Sequence, residues 1–135
     1  MRCKPVNITY RGRNKSIIRC EDVPLESNVY GKAIISPPYF PDIELISNKK
    51  GLPKEYVIIH EDLHFFFHDL YPQLNPYEIE YLVRREADKE YERLTGNKID
   101  TTAEYLKFLN LRGKTAKEDI IDIFEMPIDD LMKNL

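Results

Sequence analysis

His60-Glu61-Asp62-Leu63-His64 sets two imidazoles four residues apart with an acid beside the first. On a helix that spacing is roughly 6 Å of rise and about 40° of rotation, so both rings can reach one ion from one face. Glu61 is then placed to act on a water at that ion rather than to ligate it. Two histidines and a carboxylate, with solvent in the fourth place, make an open catalytic zinc site. The same donors also accept other divalent ions. The plainer reading is a helix face that carries two histidines and no metal.

A third ligand must come from elsewhere. His68 is the remaining histidine of three, but eight residues of helix from His60 is roughly 12 Å of rise, too far for one ion. It reads as a flanking residue near the cleft or at the surface. Further along, Ile79, Leu82 and Val83 form an apolar stripe, and Glu86 falls on that face. A charge on a buried face needs a partner or a metal, so Glu86 is the expected third ligand. Glu90, one turn on, is expected to hydrogen-bond a ligating imidazole. Glu80, Asp88 and Glu92 project away from the stripe and read as solvated charge. The competing reading pairs Glu86 with Lys89 or with an arginine.

The elements that position these residues can be read from their ends. Pro53 opens a helix running to about Leu70, apolar nearly all round through Tyr56, Val57, Ile58, Phe65 and Phe66, hence a buried central element. Asn75-Pro76-Tyr77-Glu78 supplies a cap, a first-turn proline and a capping acid for a helix to Thr95, closed by Gly96. Thr101 with Glu104 and Thr115 with Glu118 repeat the capping spacing for two further helices. Before these, Asn7–Tyr10 and Lys15–Arg19 flank Arg11-Gly12-Arg13-Asn14 as a hairpin. Two more strands, over 29–35 and 42–47, follow, the second with the partial alternation of an edge strand. The expected fold is α+β: a small twisted sheet of a hairpin and two strands, then about four helices, in one domain over 1–135.

His60-Glu61-Asp62-Leu63-His64 on one helix and Glu86-Ala87-Asp88-Lys89-Glu90 on the next resemble the gluzincin metallopeptidases, in particular the small minigluzincins. They are similar also to the ImmA/IrrE-like peptidases, and the likeness spans roughly residues 29 to 95. It implies a zincin-like fold, one zinc ion per chain, and an endopeptidase that hydrolyses peptide bonds with water activated by Glu61. It also implies that Asp42 to Ser47 form the cleft rim that pairs with extended peptide. Latent, zymogen-like forms with a chain segment in the cleft belong to the same resemblance.

The remainder of the chain bounds this reading. Its 135 residues carry 42% hydrophobic and 32% charged residues and a net charge of -3, as in an ordinary globular domain rather than a dedicated nucleic-acid binder. No apolar run approaches the roughly 20 residues of a membrane span, and no secretory signal is evident; a cytoplasmic location, a peptide or protein substrate, no membrane, and a monomer or weak homo-oligomer are expected. Charge is uneven: a basic hairpin region over 1–28 (Arg2, Lys4, Arg11, Arg13, Lys15, Arg19) opposes an acidic helix or tail over 115–135. The tail could fold back and hold the enzyme latent, or both may be solvated faces. From another class comes a non-catalytic module that uses the hairpin to bind nucleic acid or an acidic partner around a structural metal. Cys3 and Cys20 fall near one another but not opposite in this hairpin register, which leaves a disulfide possible without predicting one.

Overall fold

The computed structural model describes residues 1–27, 29–37 and 40–112, with side chains through Phe108. Within them the chain is α+β, with a four-stranded mixed sheet and three helices. The strands are β1 (Arg2–Tyr10), β2 (Arg13–Val23), β3 (Gly31–Ile34) and β4 (Asp42–Ser47), in the order β1-β2-β4-β3. The helices are α1 (Lys54–Leu70), α2 (Pro76–Thr95) and α3 (Thr101–Arg112). The fourth helix and the acidic tail expected over 115–135 lie outside the described residues.

The hairpin is longer and tighter than its sequence suggests. Tyr10 pairs with Arg13, so Arg11 and Gly12 alone make the turn, both at positive φ (46° and 79°). Two-residue hairpin turns require that geometry because their twist matches the strands. A four-residue turn would set the register two residues off. In the observed register Cys3 lies directly opposite Cys20, and the two form a disulfide. A pairing that the expected register left merely possible is therefore formed, because the shorter turn brings the two cysteines opposite each other.

A second correction concerns β4. It is an interior strand, parallel to β2 and antiparallel to β3, and the sheet edge beside the helices is β3. The charge that made β4 look like an edge, Glu44, is fully buried against Arg19, its register partner on β2. Arg19 also holds Asp62 of α1 with two bonds of 2.9 and 3.0 Å. The Arg19–Asp62 ion pair, with Glu44 bonded to the same guanidinium, therefore fastens the histidine helix to the sheet. Burial foremost, and then the neighbouring Asp62 carboxylate, push the Glu44 carboxyl up to about 10.

The helices follow their caps. Asn75 and Glu78 form the full reciprocal capping box, and Gly96 closes α2 in the left-handed conformation. α3 starts differently: Asp100 accepts from Ala103 N, which makes Asp100 the cap and Thr101 the first helical residue, 2% exposed. The core gathers Ile8 and Ile17 from the sheet, Tyr56 and Phe65 to Phe67 from α1, Ile79, Val83, Ala87 and Tyr91 from α2, and Tyr105 and Phe108 from α3. α1 lies at its centre, between sheet and α2.

Candidate metal centre

α1 turns His60, Glu61 and His64 inward, at 7%, 5% and 1% exposure. Donor atoms of the three lie within 4.8 Å of one another, a grouping able to hold a metal ion. The acid that joins the two imidazoles is Glu80, from the second turn of α2 and 2% exposed. Glu80 Oε1 is 3.3 Å from His60 Nε2, Glu80 Oε2 is 3.0 Å from His64 Nε2, and the two Nε2 atoms are 3.3 Å apart. Donors at the corners of a tetrahedron about 2.0–2.1 Å from zinc stand about 3.3–3.4 Å from each other. The three contacts, 3.0 to 3.3 Å, lie at or just under that spacing, with Glu80 meeting the two imidazoles through different oxygens, so the donor set fits the ion in chemistry and is close to it in size.

Glu86 is elsewhere, and its expected ligand role is corrected. It lies on a different side of α2, 4.0 Å from Arg11 at the hairpin tip. With Tyr10, Ile59, Asp62 and Phe66 it lines a cavity of about 440 Å³. Glu90 is in the same cavity wall and is bonded to Arg93, 3.1 Å to its Nε, not to a site histidine. The reason is a shift of the buried stripe. Ile79, Val83, Ala87 and Tyr91 form the core row of α2, while Leu82 is only half buried. The charged row beside them, Glu80, Arg84 and Asp88, is buried, contrary to the reading of Glu80 and Asp88 as solvated; Glu92 is exposed as expected.

That charged row carries its own signal. Glu80, Arg84 and Asp88 alternate in sign at four-residue spacing, so the row can be buried with its charges compensated. Glu86 and Glu90 are like charges at the same spacing, which a dry interface does not tolerate. Arg84, 1% exposed, donates from Nε to Glu80 at 2.9 Å and from Nη1 to the Thr101 carbonyl at 3.1 Å. Its guanidinium also lies over the Tyr105 ring.

The electrostatics divide the two acids. Burial works against the Glu80 charge, yet His60 first, then His64 and Arg84, hold its carboxyl well below the ordinary range. Burial pushes Glu61 up to about 8, opposed by His64 and reinforced by Glu80 and Asp62. The same pocket thus favours the ionised form of Glu80 and the protonated form of Glu61. Glu61 stands against β3: a Cβ on Gly31 would come within 3.0 Å of both its Cγ and Oε2, and 2.8 Å from Val57 Cγ1.

Beyond these donors, the Tyr56 hydroxyl lies 3.3 Å from His60 Nδ1 and 2.6 Å from the Thr101 hydroxyl, which donates to Asp88. His68 stacks on the His64 ring, 5.6 Å between centroids, as a flanking residue. No family model, no curated protein and no solved structure matches the chain.

Proposed function

We propose that this chain is a zinc-dependent endopeptidase whose metal is held by His60, His64 and Glu80. The observation that carries the proposal is the convergence of His60 Nε2, His64 Nε2 and the two Glu80 carboxylate oxygens, with contacts of 3.0 to 3.3 Å, close to the donor spacing of a tetrahedral zinc site. Zinc bound there supplies Lewis acidity, acidifying a water and polarising a carbonyl. Glu61 takes the proton from that water and returns it to the leaving amine. Its position against Gly31 makes β3, not β4, the strand along which an extended peptide would pair through main-chain hydrogen bonds. The likeness to minigluzincins and other gluzincins, with a zincin-like fold, is part of the same proposal.

The site side chains are almost sealed, which favours a latent form that must open before a peptide enters. Latency through the acidic terminal segment is the corresponding proposal, on residues outside those described; deleting 127–135 should raise peptidase activity, and unchanged or lower activity in a folded truncation overturns it. The non-catalytic alternative is weakened by the hairpin itself. Arg2 is paired with Asp22, Arg11 with Glu86, Lys15 with Asp69, and Arg19 with Glu44 and Asp62. Arg19 is committed within the fold, so the hairpin offers nucleic acid fewer bases than its sequence suggests.

No described helix is long and apolar enough to cross a membrane. A cytoplasmic location stands in tension with the Cys3–Cys20 bond, since reducing compartments keep such pairs as thiols. The decisive test of function is hydrolysis of a casein-type substrate by zinc-loaded protein, with Glu61→Gln as control. Activity that depends on zinc and Glu61 supports the reading; equal activity in Glu61→Gln, or none in opened, zinc-loaded protein, contradicts it.

A further inference from the structure

A hydroxyl carries a single proton, and an ionised carboxylate carries none. Those two facts fix the direction of a buried chain of hydrogen bonds that leads to His60. At its far end, the Asp88 carboxylate accepts from the Thr102 backbone N–H at 3.0 Å and the Thr102 hydroxyl at 2.7 Å through Oδ2, and from the Thr101 hydroxyl at 2.7 Å through Oδ1. Thr101 has therefore spent its proton on Asp88. At 2.6 Å from the Tyr56 hydroxyl, Thr101 Oγ1 can only accept, so Tyr56 donates to it. Tyr56 has then spent its own proton. At 3.3 Å from His60 Nδ1, the Tyr56 oxygen can only accept, so His60 must carry its proton on Nδ1.

We propose that Asp88 is a positioning residue which, through Thr101 and Tyr56, holds a proton on His60 Nδ1 and so reserves Nε2 as the nitrogen for ligation. Nε2 is the atom that faces Glu80 and His64, and a metal is ligated through a lone pair. Thr101 serves the site twice, because its carbonyl also receives Arg84, which braces Glu80. The consequence for zinc rests on the proposed metal site; the tautomer itself does not.

Asp88→Asn is the informative change. The Thr102 backbone N–H is fixed and requires an acceptor, so the new amide must turn its oxygen there and its NH2 towards Thr101. Every bond in the chain then reverses, Tyr56 donates to Nδ1, and the proton moves to Nε2.

Nitrogen-15 NMR of the histidine ring in metal-free protein, in mildly alkaline buffer, reads the proton directly. The expected result is Nδ1–H for His60 in the wild type and Nε2–H in Asp88→Asn, with zinc affinity, measured by competition with a chromophoric chelator, lower by about 10–100-fold in the variant. In a Tyr56→Phe background, which severs the chain, Asp88→Asn should change zinc affinity little further. A wild-type His60 without a proton on Nδ1 overturns the relay, even if zinc binds tightly, and it does so whether or not Asp88→Asn folds. An Nδ1 proton in a wild-type chain that takes no zinc upholds the relay and contradicts the metal site instead. A folded Asp88→Asn with unchanged tautomer, or with an equal loss of affinity in the Tyr56→Phe background, also overturns it.

Discussion

Glu80 and His64 meet at 3.0 Å across the α1–α2 interface, each 2% or less exposed. A carboxylate buried this deeply must be matched by charge and hydrogen bonds, and Arg84 supplies the cation beside the two imidazole contacts. Glu80→Leu would leave the Arg84 guanidinium buried without its anion. The metal-free protein should lose about 3–5 kcal/mol in denaturant unfolding. Glu86→Leu breaks only a 4.0 Å contact with the exposed Arg11, and should change stability by no more than about 1 kcal/mol. Similar losses from both changes would contradict the burial assigned to Glu80.

Glu61→Gln should keep the metal and lose turnover. An amide fills the same space but cannot take a proton, and general-base contributions run to about 10²–10⁴-fold. Zinc retention by elemental analysis beside a rate loss in that range is the expected pair of results; loss of zinc would move Glu61 into the ligand set.

Gly31→Ala probes the packing of β3 on the site. The added methyl would press on Val57 Cγ1 at 2.8 Å and on Glu61. Overpacking of this kind costs about 1–3 kcal/mol, and the displaced carboxylate should lower kcat while zinc affinity stays unchanged. Wild-type kcat in this variant would show that Glu61 does not depend on Gly31.

Glu44 gives the fold a pH signature. Its folded-state pKa is raised, foremost by burial and then by Asp62, to about 10. The native state therefore holds a proton that the unfolded chain releases near 4.5. Stability from this group is complete below that value and falls as pH rises towards 10, by at most about 1.4 kcal/mol per unit. Glu44→Gln should flatten the alkaline fall in thermal unfolding temperature; a variant that falls as steeply as the wild type would assign the slope to other groups.

Much of this was legible in the residues, and the failures have physical causes. Pro53, Asn75-Pro76 and Gly96 located α1 and α2 because caps are local chemistry. His60, Glu61 and His64 were found because one helix fixes their mutual geometry. The third acid depended on the rotation of α2, and Ile79, Leu82 and Val83 suggest a stripe centred one residue from the true one. Leu82 misled because an apolar side chain half exposed costs little, whereas the buried Glu80, Arg84 and Asp88 concealed themselves by mutual compensation. The disulfide was left undecided through a two-residue error in turn length, which only the cross-strand register reveals.

Zinc content after dialysis against excess zinc and then buffer, compared among wild type, Glu80→Gln and Glu86→Gln, is the most direct test of the metal centre. One ion per chain should remain in wild type and Glu86→Gln and be lost from a folded Glu80→Gln. A wild type that retains none, or zinc that survives Glu80→Gln and disappears with Glu86→Gln, would contradict the account.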